Sequence, residues 1–225
     1  MTAMSCYGLS DLSGALHPAL EIFFSLKSNP NVSVFATLRE GGARAEVSSL
    51  VELRTALLAG ADPQNILFLG PGKSDDELAA CLQTGVYAIV AESFDEVGRI
   101  DRLAGERGIR QRVLLRINPA YTVRGSRLTM GGKLAVRDRR SQVLAAGNLP
   151  SRWRNAEPAG IHVYMGTRIL DADIIGSNTR YVLDLADRVA AATGMPMEAV
   201  DIGGGLGVAY FDGEKELGAK QVLST

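Results

Sequence analysis

The stretch FFSLKSNPN, residues 23–31, predicts the first unit of an α/β fold. It opens with an apolar run typical of a buried strand and continues into a turn that contains Pro30. It then reaches Asn31, a residue suited to cap the helix predicted over VSVFATLRE. Lys27 is predicted as the last residue of the strand. The stretch raises two questions: whether the pattern of a strand followed by a helix repeats along the chain, and what the amine of Lys27 does at the end of a strand.

The alternation of short β-rich runs with helical patterns continues along the chain. Ser74 with Glu77 and Ser93 with Glu96 predict two helix starts with capping boxes, and a long amphipathic helix is predicted over 177–192. Two neighbouring parallel strands must be joined by a crossover connection, which is usually a helix, so the alternation of strands and helices predicts a parallel sheet. Both an open doubly wound sheet and a (β/α) barrel satisfy it. The predicted strands cover 21–26, 43–48, 66–69, 86–91, 112–117, 159–165 and 199–202.

Composition and charge narrow the class of protein. The chain has 225 residues, of which 46% are hydrophobic and 22% charged, as expected of a globular chain with a substantial core. A net charge of -1 gives no electrostatic reason to expect nucleic acid or an anionic membrane as a partner. No apolar run approaches the ~20 residues of a membrane helix. Two cysteines cannot form a disulfide framework, and no secretory leader is recognisable, so a cytoplasmic location is expected.

Two glycine motifs are candidates for a phosphate site. GPGKS at 70–74 is similar to the end of a nucleotide-binding P-loop, but the first glycine of that pattern would fall at Leu67. DIGGGLG at 201–207 fails as a dinucleotide turn because its third glycine would fall at Val208. A triple glycine directly after a strand can still bring backbone N–H groups close to an anion, although a flexible bend is the alternative.

In a barrel, Lys27 and the glycines after the seventh strand would lie on the rim that carries active sites. A lysine there could form a Schiff base with an aldehyde cofactor whose phosphate sits on the glycines. Judged by its position alone, a lysine at a strand end is more often an ordinary one whose amine stays in water.

Five segments follow one another in an order typical of one enzyme family: FFSLKSNPN, GARAEVSSLVELRTALLAGADPQNILFLGPGKSDDEL, VLLRINP, GIHVYMGTRIL and DIGGGLG. In this order they resemble the fold-type III pyridoxal-phosphate decarboxylases, the family of diaminopimelate and ornithine decarboxylases. The resemblance spans about residues 20–210.

This resemblance implies an α/β fold, an alanine racemase-like (β/α)8 TIM-type barrel. It would be one domain over 1–225, incomplete at about seven βα units and without the family's C-terminal β-domain. The implied cofactor is pyridoxal 5'-phosphate, and the implied activity is decarboxylation of an amino acid. Lys27 would bond covalently to the cofactor, and the glycines would bind its phosphate. No metal is implied. The residues implied to bind the cofactor are Lys27, Glu46, Arg116, His162, Tyr164, Thr167, Gly203, Gly204 and Gly205.

Several positions depart from the family's pattern. Tyr164 stands where the family usually has a histidine stacked on the cofactor ring, and its aromatic face could also stack. His162 lies two residues earlier on the same strand face, so it is either near the site or a hydrogen-bonded core histidine. Thr167 replaces a serine and keeps a hydroxyl. Leu50 and Val51 replace a pair of glycines, which changes a loop near the cofactor.

The loop 120–138 contains VRGSRLTMGGK, which is similar to the family branch that decarboxylates an aminoacyl group on an acyl carrier protein. The expected partners are a small amino-acid substrate, either free, as in diaminopimelate decarboxylases, or bound to a carrier protein, and a second copy in a homodimer. An eighth strand and the β-domain have no counterpart, so we expect a fragment that is poorly active alone. Two alternatives remain: a non-catalytic pyridoxal-phosphate-binding barrel, and a nucleotide-binding protein that uses GPGKS.

Overall fold

The computed structural model describes residues 16–118, 139–215, 217, 218 and 221. The chain divides into two compact units. The first unit is Met1–Val113 with Arg154–Glu157, and the second unit is Leu114–Trp153 with Pro158–Thr225. The loop predicted over 120–138 lies outside the described residues, and a single domain over 1–225 stays a prediction. None of the described helices has the length and apolar character needed to cross a membrane.

Seven strands lie within the described residues: β1 Phe23–Ser25, β2 Arg44–Val47, β3 Ile66–Phe68, β4 Ala88–Ala91, β5 Gln111–Arg116, β6 Ala156–His162 and β7 Ala199–Asp201. Their order in the sheet is their order in the chain. β1 pairs with β2, β2 with β3, β3 with β4 and β6 with β7, each time in parallel. A doubly wound sheet reverses its strand order partway. The observed order therefore confirms the incomplete (β/α) barrel.

The described helices connect these strands as the sequence predicts. They are α1 Val32–Glu40, α2 Leu50–Leu58, α3 Asp75–Thr84, α4 Phe94–Gly105, α5 Arg139–Leu144 and α6 Ala172–Thr193, with a 3₁₀ turn at Pro63–Asn65. Each of the seven predicted strands is found. Five are one to three residues shorter than predicted, whereas β5 lies one residue and β6 three residues earlier in the chain than predicted. Strand ends lose their ladder hydrogen bonds where a turn begins, so apolar character outlasts the strand itself.

Side chains at the helix starts explain where these helices begin. The side chain of Asn31 accepts hydrogen bonds from the amides of Ser33 and Val34, and Ser74 with Glu77 forms the predicted capping box. At α4 only half of the predicted box is present. The Ser93 hydroxyl accepts from the amide of Glu96, but the Glu96 carboxylate accepts from the amide of Glu92. It reaches one residue further back than a capping box requires.

Apolar side chains from strands and helices fill the core of each unit. In the first unit every residue of β3 and β4 is buried, as expected for parallel strands covered on both faces. In the second unit α6 buries Val182, Leu185 and Val189, which recur at helical spacing. Full burial of one such side chain contributes about 1.5–3 kcal/mol. This apolar packing holds the turns that follow the strands.

Candidate functional site

Lys27 lies on a tight turn directly after β1. The strand ends at Ser25, so Lys27 is two residues beyond it rather than its last residue. The Ser25 carbonyl accepts hydrogen bonds from the Ser28 amide at 3.1 Å and the Ser28 hydroxyl at 2.7 Å, and these bonds close the turn early. The Lys27 side chain is exposed. The first unit therefore presents an accessible amine on a well-defined turn.

Glu46 is next to this turn in the first unit. It pairs in register with Ser25, whose hydroxyl donates a hydrogen bond to its Oε1 at 2.8 Å. The amide of Leu26 donates to the Glu46 carbonyl at 3.0 Å. Two of the predicted site residues, Lys27 and Glu46, are thus brought to neighbouring strand ends, with a half-buried carboxylate beside the turn that carries the amine.

Lys73 of the GPGKS motif is occupied by the protein itself. It is 2% exposed, and its amine donates to the carbonyls of Leu69 at 2.9 Å and Gly70 at 2.6 Å. The same Nζ lies 3.3 Å from Oε1 of Glu96. Burial lowers the pKa of Lys73, and the Glu96 carboxylate opposes that shift. The motif is therefore a structural clamp in the first unit, which argues against the nucleotide-binding alternative.

The triple glycine of the second unit forms a turn that other residues could not make. Gly203 has φ +75° and Gly205 has φ +89°. A Cβ on Gly203 would lie 2.8 Å from the carbonyl oxygen of Val163, and one on Gly205 would overlap the carbonyl oxygen of Gly166. A Cβ on Gly204 would meet nothing within 4 Å. The outer glycines pack against the loop after β6, and the middle one is open.

Two amides of this turn are available to a ligand. The Gly203 amide donates to Oδ1 of Asp201 at 2.8 Å. Within residues 139–215, by contrast, the amides of Gly204 and Gly205 donate to no acceptor atom. Backbone N–H groups on a turn of this kind form a concave site for an anion. The flexible-bend alternative does not account for the close packing of the two outer glycines.

The other predicted residues of the second unit surround this turn. Arg116 ends β5 and His162 ends β6, and the Ile117 amide donates to the His162 carbonyl at 2.9 Å. β6 ends at His162, so Tyr164, contrary to the prediction, does not share a strand face with it. The half-buried side chains of Tyr164 and Thr167 belong to the loop after β6, which packs on the glycines. His162 is 2% exposed, as a core histidine would be, yet its Nε2 lies 3.8 Å from Oδ2 of Asp201. His162 is therefore buried like a core histidine and also lies near the candidate site.

Asp201 is the functional candidate that the sequence motifs did not assign. It ends β7, two residues before Gly203. Burial raises the pKa of its carboxyl to about 6, against the opposing effects of the Gly203 amide and the Arg116 charge. An acidic residue at the carboxyl end of a strand beside a glycine turn is a signal that could have identified it. Its burial could not be read from the sequence.

Comparison with known proteins assigns the family. Residues 10–225 match the model described as pyridoxal-dependent decarboxylase, pyridoxal binding domain. The chain belongs to this family. The family's cofactor is pyridoxal 5'-phosphate, as the resemblance implied. Lys27, Glu46, Arg116 and the glycine turn all lie within the matched region.

Known pyridoxal-dependent decarboxylases resemble this chain over almost its full length. The L-glutamyl-[BtrI acyl-carrier protein] decarboxylase of Niallia circulans is 35% identical over 215 residues, which are 95% of this chain and 50% of that protein. The diaminopimelate decarboxylase of Methanothermobacter thermautotrophicus is 33% identical over 216 residues, 91% of this chain and 47% of that one. The chain therefore spans about half the length of the curated relatives it matches.

Solved structures agree with the family assignment. The crystal structure of diaminopimelate decarboxylase from Helicobacter pylori complexed with L-lysine matches with a TM-score of 0.84 and 25% sequence identity. The match covers 99% of this chain and 57% of the other. The fold expected from the sequence is thus the fold of a pyridoxal-dependent decarboxylase.

The chemical groups of these residues match those to which pyridoxal 5'-phosphate can bind. The open amides of Gly204 and Gly205 suit a phosphate, and the adjoining loop carries the aromatic ring of Tyr164. The first unit supplies the exposed amine of Lys27. A pyridoxal phosphate requires these three kinds of group: anion donors, an aromatic face and a reactive amine.

The stability of the folded chain is expected to depend on pH through Asp201. Burial raises the pKa of its carboxyl from 3.8 to about 6, so between these pH values the folded state holds a proton that the unfolded state has lost. The stabilisation of the folded state by this proton is fully present below pH 3.8 and is lost as the pH rises through about 6. The free energy of unfolding falls by up to about 3 kcal/mol over this interval. Asp201→Asn removes the titration.

Urea unfolding of wild type and Asp201→Asn at pH values near 4 and near 7 measures this effect. The difference between their free energies of unfolding should change by up to about 3 kcal/mol across that interval. Asp184, exposed on α6, supplies the control variant Asp184→Asn, which should track the wild type. Parallel curves for wild type and Asp201→Asn would show that the Asp201 pKa is not raised.

Proposed function

We propose that this chain supplies the cofactor-binding part of a pyridoxal-phosphate-dependent decarboxylase that acts on an amino acid. The observation that carries the proposal is the glycine turn at 203–205, which has positive φ angles, close packing against the loop after β6, and two open amides. Two relatives of the chain are decarboxylases by name. A carbon–carbon lyase activity is the function that both observations support.

Each proposed residue has a distinct role. Lys27 bonds covalently to the cofactor, and the turn after β1 fixes its backbone. Gly203, Gly204 and Gly205 hold the phosphate. Tyr164 offers its ring to the face of the cofactor. Glu46, Arg116, His162 and Thr167 supply polar groups around it. When bound, the cofactor withdraws electrons from the amino acid's Cα, so that the carboxylate can leave as carbon dioxide.

The positions of the polar groups support these roles. The Ser25 hydroxyl holds Glu46 through its Oε1, which fixes a carboxylate beside the turn of Lys27. In the second unit Arg116 and His162 end adjacent strands, and their charge and ring lie near Asp201. Groups fixed in this way bind and orient a ligand without rearranging, which lowers the cost of reaching a reactive geometry.

The substrate is an amino acid that is either free or attached to a carrier protein. One relative is named for an L-glutamyl group on an acyl-carrier protein, others are named for diaminopimelate, and one neighbouring structure is complexed with L-lysine. We propose that the active assembly is a homodimer built from the alanine racemase-like domain. Release of carbon dioxide from diaminopimelate, compared with release from glutamyl-loaded carrier protein, distinguishes the two substrate classes.

The Lys27→Ala variant is the direct test of the covalent role. After unbound pyridoxal 5'-phosphate, which itself absorbs in this region, has been removed, the wild type should keep an absorbance band near the visible edge. Lys27→Ala should lose this band. Borohydride reduction and peptide mass spectrometry should place the cofactor on the peptide that contains Lys27. The physical reason is that the covalent bond to the cofactor's aldehyde needs a primary amine, which Lys27 supplies and alanine lacks.

Two further variants control this test. Lys27→Arg keeps the positive charge but has no primary amine, so it too should lose the band. Lys215→Ala removes an exposed lysine elsewhere and should keep the band, which excludes random labelling of surface amines. An unchanged band in Lys27→Ala would remove Lys27 from the mechanism. A normal band with no carbon dioxide released from either substrate class would favour a non-catalytic binding protein.

A further inference from the structure

Asp201 links three structural elements of the second unit through one residue. Its Oδ1 accepts a hydrogen bond from the Gly203 amide at 2.8 Å, and its backbone carbonyl accepts from the Val163 amide at 2.9 Å. Its Oδ2 lies 3.8 Å from Nε2 of His162. The side chain and the main chain of Asp201 therefore join the glycine turn to the end of β6.

We infer that Asp201 is a positioning residue, whose carboxylate sets the conformation of the glycine turn that binds the cofactor's phosphate. This inference rests on the proposed function. Asp201 does not itself need to contact the ligand. By accepting from the Gly203 amide, it fixes the first peptide of a turn made of glycines, which by themselves can adopt many backbone conformations. The next two amides, those of Gly204 and Gly205, stay free for the anion.

The charges around Asp201 support this role. Its side chain is 20% exposed, so an ionised carboxylate there loses most of its hydration. Arg116, from β5, is the cation that acts on it, and His162, from β6, is the titratable group that faces it. A carboxyl group with a pKa raised by burial, next to a specific cation, is typical of functional sites.

Steric packing explains why this one hydrogen bond matters. A Cβ on Gly203 would lie 2.8 Å from the Val163 carbonyl oxygen, so the turn already approaches the β6 loop as closely as glycine allows. If Gly203 lost its acceptor, its amide would have to find another partner, and the peptide would rotate away from this packing. The open amides would then lose their common direction.

The test compares two ligands that differ only by the phosphate. Dissociation constants for pyridoxal 5'-phosphate and for pyridoxal are measured by absorbance titration in wild type, Asp201→Ala, Asp201→Asn and the surface control Asp184→Ala. We expect Asp201→Ala to weaken binding of pyridoxal 5'-phosphate about tenfold, the effect of one charge-assisted hydrogen bond. Pyridoxal should bind as in wild type, because it does not use the glycine turn.

The variants separate positioning from a general loss of structure. Asp201→Asn keeps an oxygen that can accept from Gly203, so it should recover most of the affinity for pyridoxal 5'-phosphate. Equal weakening of both ligands, or unchanged affinity in Asp201→Ala, overturns the inference. If Asp201→Ala does not fold, Asp201→Glu keeps the charge but displaces the oxygen, and it should weaken only the phosphorylated ligand; equal effects on both ligands again overturn the inference.

Failure of the proposed function gives a different result. If the wild-type protein binds pyridoxal 5'-phosphate no more tightly than pyridoxal, the glycine turn is not a phosphate site. That result refutes the proposed function and the positioning role of Asp201 together. A wild type that prefers the phosphorylated ligand while Asp201→Ala keeps that preference leaves the proposed function intact and refutes the role of Asp201 alone.

Discussion

Replacing Lys73 with methionine is expected to lower the free energy of unfolding by about 3–5 kcal/mol, the usual cost of removing one partner from a buried ion pair. Lys73 is 2% exposed and Glu96 is 6% exposed. Methionine matches the lysine stem in length, so the loss comes mainly from the amine and not from packing. The variant leaves the Glu96 carboxylate buried without its cation.

Two backbone carbonyls account for part of this loss. The amine donates to the oxygens of Leu69 and Gly70, and burying such groups without a donor costs about 1–3 kcal/mol each where water cannot enter. These carbonyls belong to the loop between β3 and α3, and Glu96 belongs to α4. The lysine therefore clamps two successive βα connections of the first unit.

Urea unfolding followed by circular dichroism measures the loss. Lys215→Met, at an exposed lysine, is the matched control and should stay within about 0.5 kcal/mol of the wild type. The double variant Lys73→Met with Glu96→Gln should recover part of the stability, because it removes the unpaired negative charge. A single-variant loss below about 1 kcal/mol would show that water reaches the pair.

The Gly205→Ala variant is expected to destabilise the second unit by about 3 kcal/mol or more, because it combines a strained φ angle with overpacking. Gly205 has φ +89°, and its Cβ would overlap the Gly166 carbonyl oxygen. That Cβ would also lie 3.0 Å from the Gly166 carbonyl carbon and 3.2 Å from Cα of Thr167. Backbone atoms cannot move aside as a flexible side chain would.

Hydrogen exchange should detect the change locally. The Ile169 amide donates to the Gly205 carbonyl and the Gly207 amide donates to the Ile169 carbonyl, each at 2.8 Å. Both amides should exchange faster in Gly205→Ala. Gly204→Ala is the matched control one residue away, where a Cβ meets nothing within 4 Å, and its exchange should resemble the wild type. Equal effects at the two positions would refute the packing argument.

Local sequence patterns predicted most of the fold. Asn31 and Ser74 cap helices through hydrogen bonds to amides two and three residues away, so their effect depends on neighbours in the chain. The apolar runs of β3 and β4 predicted strands because a strand pattern is also read from neighbouring residues, and the structure shows these strands buried. Lys27 was located by its motif, but its exact place on a turn depends on the Ser28 hydrogen bonds.

The sequence by itself determined the βα order, the helix starts and the family, because each depends on residues close together or on motifs in a set order. Only the tertiary structure decided that Lys73 is a buried clamp and not a phosphate ligand, and that Asp201 holds the glycine turn near His162 and Arg116. The burial of Lys73 and the environment of Asp201 depend on contacts between residues far apart in the chain. Such contacts form only when the chain packs and excludes water from a charged group.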